Sequence, residues 1–223
     1  MAKTCVELIA RVKQLVGRST NLNSTLDLDT IILDALNEAQ IQIVRKLSHI
    51  LELQVKDVTS LVTVLDQYEY DLSDIDIPVA HLSQVWILDG ESSQRLTYIN
   101  KDTFDKRWPD VSVIASGLPK YYTRRGNTIE FNCPVSSDYA AKAIRVDYCK
   151  WAAEFESITA DEESELINAD YGLILFAWSE ALRVLAKGNT AILRVADEKL
   201  LMFSEWFNTY KSYYSMQIEE LAE

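Results

Sequence analysis

The sequence predicts an α+β protein: a helical bundle formed by N- and C-terminal helices, with an inserted antiparallel β-sheet or sandwich. Three observations carry this. At both ends of the chain apolar residues recur at steps of three or four, the period of an amphipathic helix. From Asp57 the period falls to two and β-branched residues gather. Turn-forming pairs, Asp89-Gly90 and Gly126-Asn127, cut that middle stretch into strands. The implied boundaries are 1–56 for the N-terminal helices, 57–151 for the inserted β domain, and 152–223 for a helix hairpin that completes the helical domain.

Thr4-x-x-Glu7 is a capping box, in which hydroxyl and carboxylate satisfy orphan amides at a helix start. Cys5, Leu8, Ile9, Val12, Leu15 and Val16 follow at helical spacing, and Gly17 offers a stop. Asp27 or Asp29 can cap a second helix, whose stripe is Ile32, Leu36, Ala39, Ile43, Leu47 and Ile50. Strands are expected over 58–64, 68–72 and 82–88, with 95–99 returning as a partner after Asp89-Gly90. Residues 101–108 read as a short helix closed by Pro109. The clearest hairpin joins 121–125 to 128–131 through Gly126-Asn127, and 143–149 is a last alternating strand. Thr159-x-x-Glu162 spells a second capping box, from which a helix would run through Leu166, Ile167, Leu173 and Ala177 to Leu185. After Gly188-Asn189 a long helix extends from Thr190 towards Leu221. Its stripe from Ile192 to Leu221 is widened by a second ridge of Val195, Met202, Trp206 and Tyr213, beyond what one partner helix covers.

Composition excludes several function classes. Lys+Arg 22 against Asp+Glu 34 leaves a net charge of −12 over 223 residues. That opposes a dedicated nucleic-acid binder, which needs clustered cations facing the phosphates. No apolar run reaches the roughly 18 residues of a membrane span, and the N-terminus does not read as a signal peptide. Cys5, Cys133 and Cys149, odd in number and without CxxC spacing, fit reduced thiols made in a cytosol. The six glycines are too scattered for a phosphate-cradling loop. His49 and His81 have no ligand partner at helical spacing and no G-x-S-x-G elbow exists, so neither a metal, a cofactor nor a catalytic serine is expected.

Three features remain as candidate sites. Asp71, Asp74 and Asp76, or Asp161, Glu162 and Glu163, could supply the paired carboxylates of a cell-wall hydrolase. The plainer reading is an acidic turn before Pro78 and negative charge at a helix N-terminus. Lys120, Tyr121, Tyr122, Arg124 and Arg125 form the one basic-aromatic patch. It could stack on nucleic acid, or serve as an edge in contact with a neighbouring subunit or tail protein. Trp206, Phe207, Tyr210, Tyr213 and Tyr214, with Ile218 and Leu221, concentrate amphipathic rings on one helix. They either cover the chain's own core or bind a partner, and the width of the arc favours a partly intermolecular role.

Several segments together resemble the head-to-tail connector, or adaptor, proteins of tailed bacteriophages. They are Asp34-Ala35-Leu36-Asn37-Glu38-Ala39 with Ile43, Tyr70-Asp71-Leu72 before Pro78, and Val85-Trp86-Ile87-Leu88-Asp89-Gly90 with Leu96. Leu118-Pro119-Lys120-Tyr121-Tyr122, Ile129-Glu130-Phe131 with Pro134, and Val146-Asp147-Tyr148 continue the series, which the paired C-terminal helices complete. The resemblance implies a structural virion protein of the neck, not an enzyme. Such proteins form homo-oligomeric rings, commonly dodecameric, that dock on the portal protein, extend the DNA channel and offer the other face to a tail or nozzle protein. They touch genomic DNA passively and no membrane. Carried over, portal docking would fall on Trp206 to Leu221. A tail-tube component one layer lower is a further reading.

Overall fold

In the computed structural model the described residues are 3–19, 27–47, 50–75, 79–90, 92–159 and 161–222, with the side chains of 18, 19, 51, 57, 92 and 213–222 outside the description. Their elements are α1 (Cys5–Ser19), α2 (Leu28–Lys46), β1 (Gln54–Val62), β2 (Glu69–Asp71), β3 (Val79–Asp89), β4 (Ser92–Arg95), β5 (Thr97–Tyr98), α3 (Lys101–Arg107), β6 (Tyr121–Arg125), β7 (Thr128–Phe131), β8 (Ala143–Lys150), α4 (Asp170–Ala186) and α5 (Thr190–Ala222). The architecture is α+β. The chain divides into a helical unit, Met1–Leu53 with Ala152–Glu223, and a β unit, Gln54–Trp151.

In the helical unit the capping box forms: the Glu7 N–H donates to Thr4 Oγ1 at 3.4 Å and the Thr4 N–H to the Glu7 carboxylate at 3.2 Å. Helix α1 then passes through Gly17 to Ser19. A glycine inside a helix costs only about 1 kcal/mol, and the helix behind it is anchored by buried Leu8, Val12 and Val16. At α2, Asp27 is the cap: its carboxylate accepts the Thr30 N–H (3.4 Å) and hydroxyl (2.8 Å).

The helix expected from Thr159 begins instead at Asp170. The second capping box is overruled because its groups bond elsewhere. The Glu162 carboxylate accepts the Glu156 N–H (3.2 Å), its carbonyl accepts the Cys5 N–H (2.7 Å), and Glu163 bridges to Thr4. The segment is further tied to α2 by a buried amide. Gln40, 2 % exposed, donates to the Ala153 carbonyl (3.1 Å) and accepts from Ser164 Oγ (2.8 Å). Asn37 exchanges two hydrogen bonds with the Phe155 backbone. Each bond satisfies a polar group that burial would otherwise leave at a cost of about 1–3 kcal/mol.

The β unit holds two four-stranded sheets, ordered β1-β8-β3-β4 and β2-β7-β6-β5. Leu61, Val85, Ile87, Ile144, Val146 and Tyr148 of the first share one apolar core with Tyr70, Tyr122, Ile129 and Phe131 of the second, the arrangement of a small sandwich. One strand departs from expectation. Residues 95–99 do not return as a single partner of β3: pairing there ends at Arg95, Leu96 turns into the core at 3 % exposure, and β5 crosses to the second sheet. There it pairs with β6 in parallel, so that sheet is mixed. Burying Leu96 decides the crossover, since a large aliphatic side chain is worth about 1.5–3 kcal/mol in a core. The β6–β7 hairpin turns at Gly126-Asn127, with Gly126 at φ 61, a left-handed conformation that glycine adopts without strain.

Candidate functional site

The candidate features are surfaces, some in the helical unit and some in the β unit. In the helical unit the aromatic seam of α5 meets α4. Phe203, Phe207 and Tyr210 are buried, and Trp206 is half-buried. The rings pack in series: Phe176 to Phe203 at 5.3 Å, Phe203 to Trp206 at 5.8 Å, Trp206 to Tyr210 at 4.7 Å. Tyr210 donates its hydroxyl to the Ile167 carbonyl (2.9 Å), and Ser179 donates to the Ala196 carbonyl (2.9 Å). A Cβ built on Gly172 would overlap the Trp206 indole, so glycine is what lets the two helices approach there. Trp206, Phe207 and Tyr210, expected at a portal interface, therefore take part in the chain's own packing. Tyr213, Tyr214, Ile218 and Leu221 lie on the same helix, with side chains outside the described residues.

The basic-aromatic hairpin is committed internally. Tyr122 is 2 % exposed, and burial with the neighbouring Tyr98 pushes its phenol up to about 12, so it stays neutral. Arg124 donates to the carbonyls of Gly126 (2.7 Å), Ala80 (2.8 Å) and Val79 (3.1 Å). Arg125 is clamped between Asp105 and Glu130, the latter 5 % exposed. Tyr121 stacks on Trp108 at 5.4 Å, which leaves Lys120 as the exposed cation. With both guanidinium groups already paired, the hairpin offers little free positive charge to phosphates. Arg124→Ala is expected to cost about 2–3 kcal/mol, as charged hydrogen bonds to carbonyls are lost, while Lys120→Ala stays within about 0.5 kcal/mol. Urea unfolding of both variants checks this.

Two features escaped the sequence reading. Register brings Arg145 of β8 and Arg95 of β4 to either side of Trp86 on β3, with guanidinium carbons 4.7 and 5.9 Å from the indole centre. The signal lies in strand pairing, which a single sequence does not display. The second is an apolar knuckle after β1. Val62, Val64 and Leu65 are 47–52 % exposed, while Thr63 between them is 1 % exposed. Its Oγ1 donates to the Tyr139 carbonyl (2.6 Å) and accepts the Lys142 N–H (2.8 Å). The Val64 N–H donates to Tyr70 Oη (3.2 Å), and Asp66, at φ 58, donates its N–H to the Val135 carbonyl (2.9 Å). The loop is thus fastened while its apolar side chains face water.

Of the first carboxylate cluster, Asp71 and Asp74 stand on an exposed turn. Asp71 accepts from the Ser73 N–H (2.8 Å) and the Asn127 amide (3.3 Å), which holds its carboxyl below the usual range. Asp74 is exposed; Asp76 and His49 lie outside the described residues. Among the described residues no three His, Cys, Asp or Glu side chains gather as metal ligands. No described helix is long and apolar enough to cross a membrane.

A family model described as SU10 adaptor protein matches residues 3–217, both units included. The chain belongs to the SU10 adaptor protein family. No curated protein matches the sequence. The adaptor is a structural protein of a bacteriophage, in a family that is not a known enzyme family. Its place as an adaptor is the virion neck, where it meets portal and tail proteins. Docking faces, rather than a catalytic cleft, are what such a protein needs.

Proposed function

We propose that this adaptor closes into a ring on the portal after packaging, extends the DNA channel, and carries the tail on its other face. The observation that carries the reading is the family match over both units, joined to apolar surface fastened in place but left uncovered. A ring is a heterologous assembly, so each subunit presents two different, complementary patches. The rings from Trp206 to Tyr210 anchor α5, and the following turns, with Tyr213, Tyr214, Ile218 and Leu221, dock on the portal. The β unit, through its knuckle, faces neighbours or tail.

Charge supports the channel role. The helical unit holds 20 of the 34 acidic residues against 11 of the 22 basic ones. An acidic wall repels phosphates within a Debye length of about 8–10 Å, so genome slides past instead of sticking. The chain transforms no substrate.

Co-sedimentation with purified portal tests this. The wild-type chain is expected to travel with the portal. Ile218→Asp with Leu221→Asp should weaken that association by about tenfold or more, the scale of burying charge at an apolar contact, with an unchanged unfolding midpoint. Unaltered association of the variant would remove α5 from the docking site.

A further inference from the structure

The outer face of the β1-β8-β3-β4 sheet carries a row of three side chains that the sandwich core does not use. Register sets Trp86 of β3 opposite Arg145 of β8 on one side and Arg95 of β4 on the other. Their chain neighbours Val85, Ile87, Ile144, Val146 and Leu96 are buried, so strand alternation turns the row outward. Strands stand about 4.8 Å apart, which gives the row a span of about 10 Å. Both guanidinium carbons lie over the indole, at 4.7 Å for Arg145 and 5.9 Å for Arg95. The ring is itself held: Trp86 Nε1–H donates to Gln84 Oε1 at 3.2 Å, two residues back on the same strand.

The two arginines differ in what else they touch. Arg145 has Asp147 at 3.7 Å from its Nε, with both side chains largely covered. Arg95 is exposed, and its guanidinium has no carboxylate partner among the described residues. A guanidinium laid on an aromatic face keeps its N–H donors in its own plane, arranged for bidentate contact with a carboxylate. Stacking also removes part of the rotamer freedom that binding would otherwise cost. Past Leu96 the chain crosses to the second sheet, where Tyr98 is 56 % exposed and lies edge-on to Tyr122 at 5.5 Å. Trp, Tyr and Arg are the residue types that dominate protein–protein hot spots. A nucleobase would need an open ring face to stack on, and guanidinium groups already lie over this indole. One uncommitted cation is also too little for a phosphate backbone.

We propose that this face binds an acidic segment of a partner protein, with an Asp or Glu carboxylate seated in the Arg95 fork and the chain beside it covering Tyr98. Charge complementarity selects the occupant: one exposed guanidinium, preorganised on an indole, matches one or two carboxylates presented by a polypeptide. Arg145 acts through Trp86 and is a positioning residue, since it helps to hold the ring on which Arg95 lies. The assignment concerns the β unit alone. It does not depend on ring closure or on the portal, and either reading can fail without the other.

Fluorescence anisotropy of a labelled hexaglutamate peptide titrated with the full chain tests it. The salt is set at about 0.15 M, where charges more than about 8 Å apart are screened. Arg95 and Lys120 are both exposed, so unfolding midpoints of Arg95→Ala and Lys120→Ala should match the wild type. Saturable binding by the wild type is expected, weakened about tenfold or more in Arg95→Ala and unchanged in Lys120→Ala. Arg145→Lys keeps the charge but loses the flat stack. It should weaken binding and, before any peptide is added, shift the Arg95 Nε–H resonance towards that of free arginine. A hexathymidylate oligonucleotide should not bind. No saturation by the peptide below about 5 mM, or equal binding by Arg95→Ala, would overturn the assignment. Equal losses in Arg95→Ala and Lys120→Ala would overturn it too, as the mark of diffuse attraction. Oligonucleotide binding as tight as the peptide's would give the face to phosphates instead. Unchanged binding and an unmoved resonance in Arg145→Lys would remove its positioning role.

Discussion

Gly172→Ala is expected to destabilise the helical unit by about 1–3 kcal/mol, the usual cost of forcing extra volume into a packed contact. The new Cβ would overlap the Trp206 indole, and that ring cannot swing away freely because Phe203 and Tyr210 flank it. For a chain of this length each kcal/mol lowers the unfolding midpoint by roughly 2–4 °C. Trimming the indole should relieve the overlap. Trp206→Ala combined with Gly172→Ala is expected to cost less than the sum of the two single changes, with a coupling of about 0.5–3 kcal/mol. Additive losses would show that Trp206 does not press on α4, and would return it to the set of rings available to a partner.

The second large effect is expected at Thr63→Val. The side chains are nearly isosteric, so the change isolates one hydroxyl. Without it the Lys142 N–H and the Tyr139 carbonyl lose the partner that Thr63 Oγ1 provides, in a site only 1 % exposed. Unsatisfied groups of this kind cost about 1–3 kcal/mol each, giving roughly 2–6 kcal/mol for the two. Thr63→Ser keeps the hydroxyl and should recover most of the loss. Hydrogen exchange at the Lys142 amide gives the local readout: strong acceleration in the valine variant, little in the serine one. Slow exchange in both would mean that the knuckle is held by its backbone bonds alone.

Local signals account for much of the fold. The Thr4–Glu7 box, the Asp27 cap and the Gly126-Asn127 turn are decided within four or five residues, so the sequence displays them directly. Hydrophobic period did the same for α2, α5 and β8. Where expectation and structure part, a distant partner has outbid a local motif. Thr159-x-x-Glu162 has the spacing of a cap, but the Glu162 groups bond Glu156 and Cys5. Residues 95–99 have the alternation of one strand, but burying Leu96 splits them between two sheets.

The candidate site was legible only as residue types. Arg124 and Arg125 read as exposed cations because nothing local reveals the Val79 and Ala80 carbonyls or the Asp105 and Glu130 clamp that hold them. Phe207 and Tyr210 were visible as an aromatic stripe, yet their burial depends on helix packing that no periodicity specifies. The row of Arg95, Trp86 and Arg145 was invisible, since Arg145 stands far from the other two in the chain and joins them only through strand pairing.

Cryo-electron microscopy of the adaptor bound to its portal bears most directly on the claim that this chain works by covering its surplus apolar surface with neighbours. A closed ring coaxial with the portal is expected, with the C-terminal turns of α5 on the portal and the knuckle of Val62, Val64 and Leu65 covered. An isolated copy attached off-axis with the knuckle open to solvent, or a portal left bare at saturating adaptor, would contradict it.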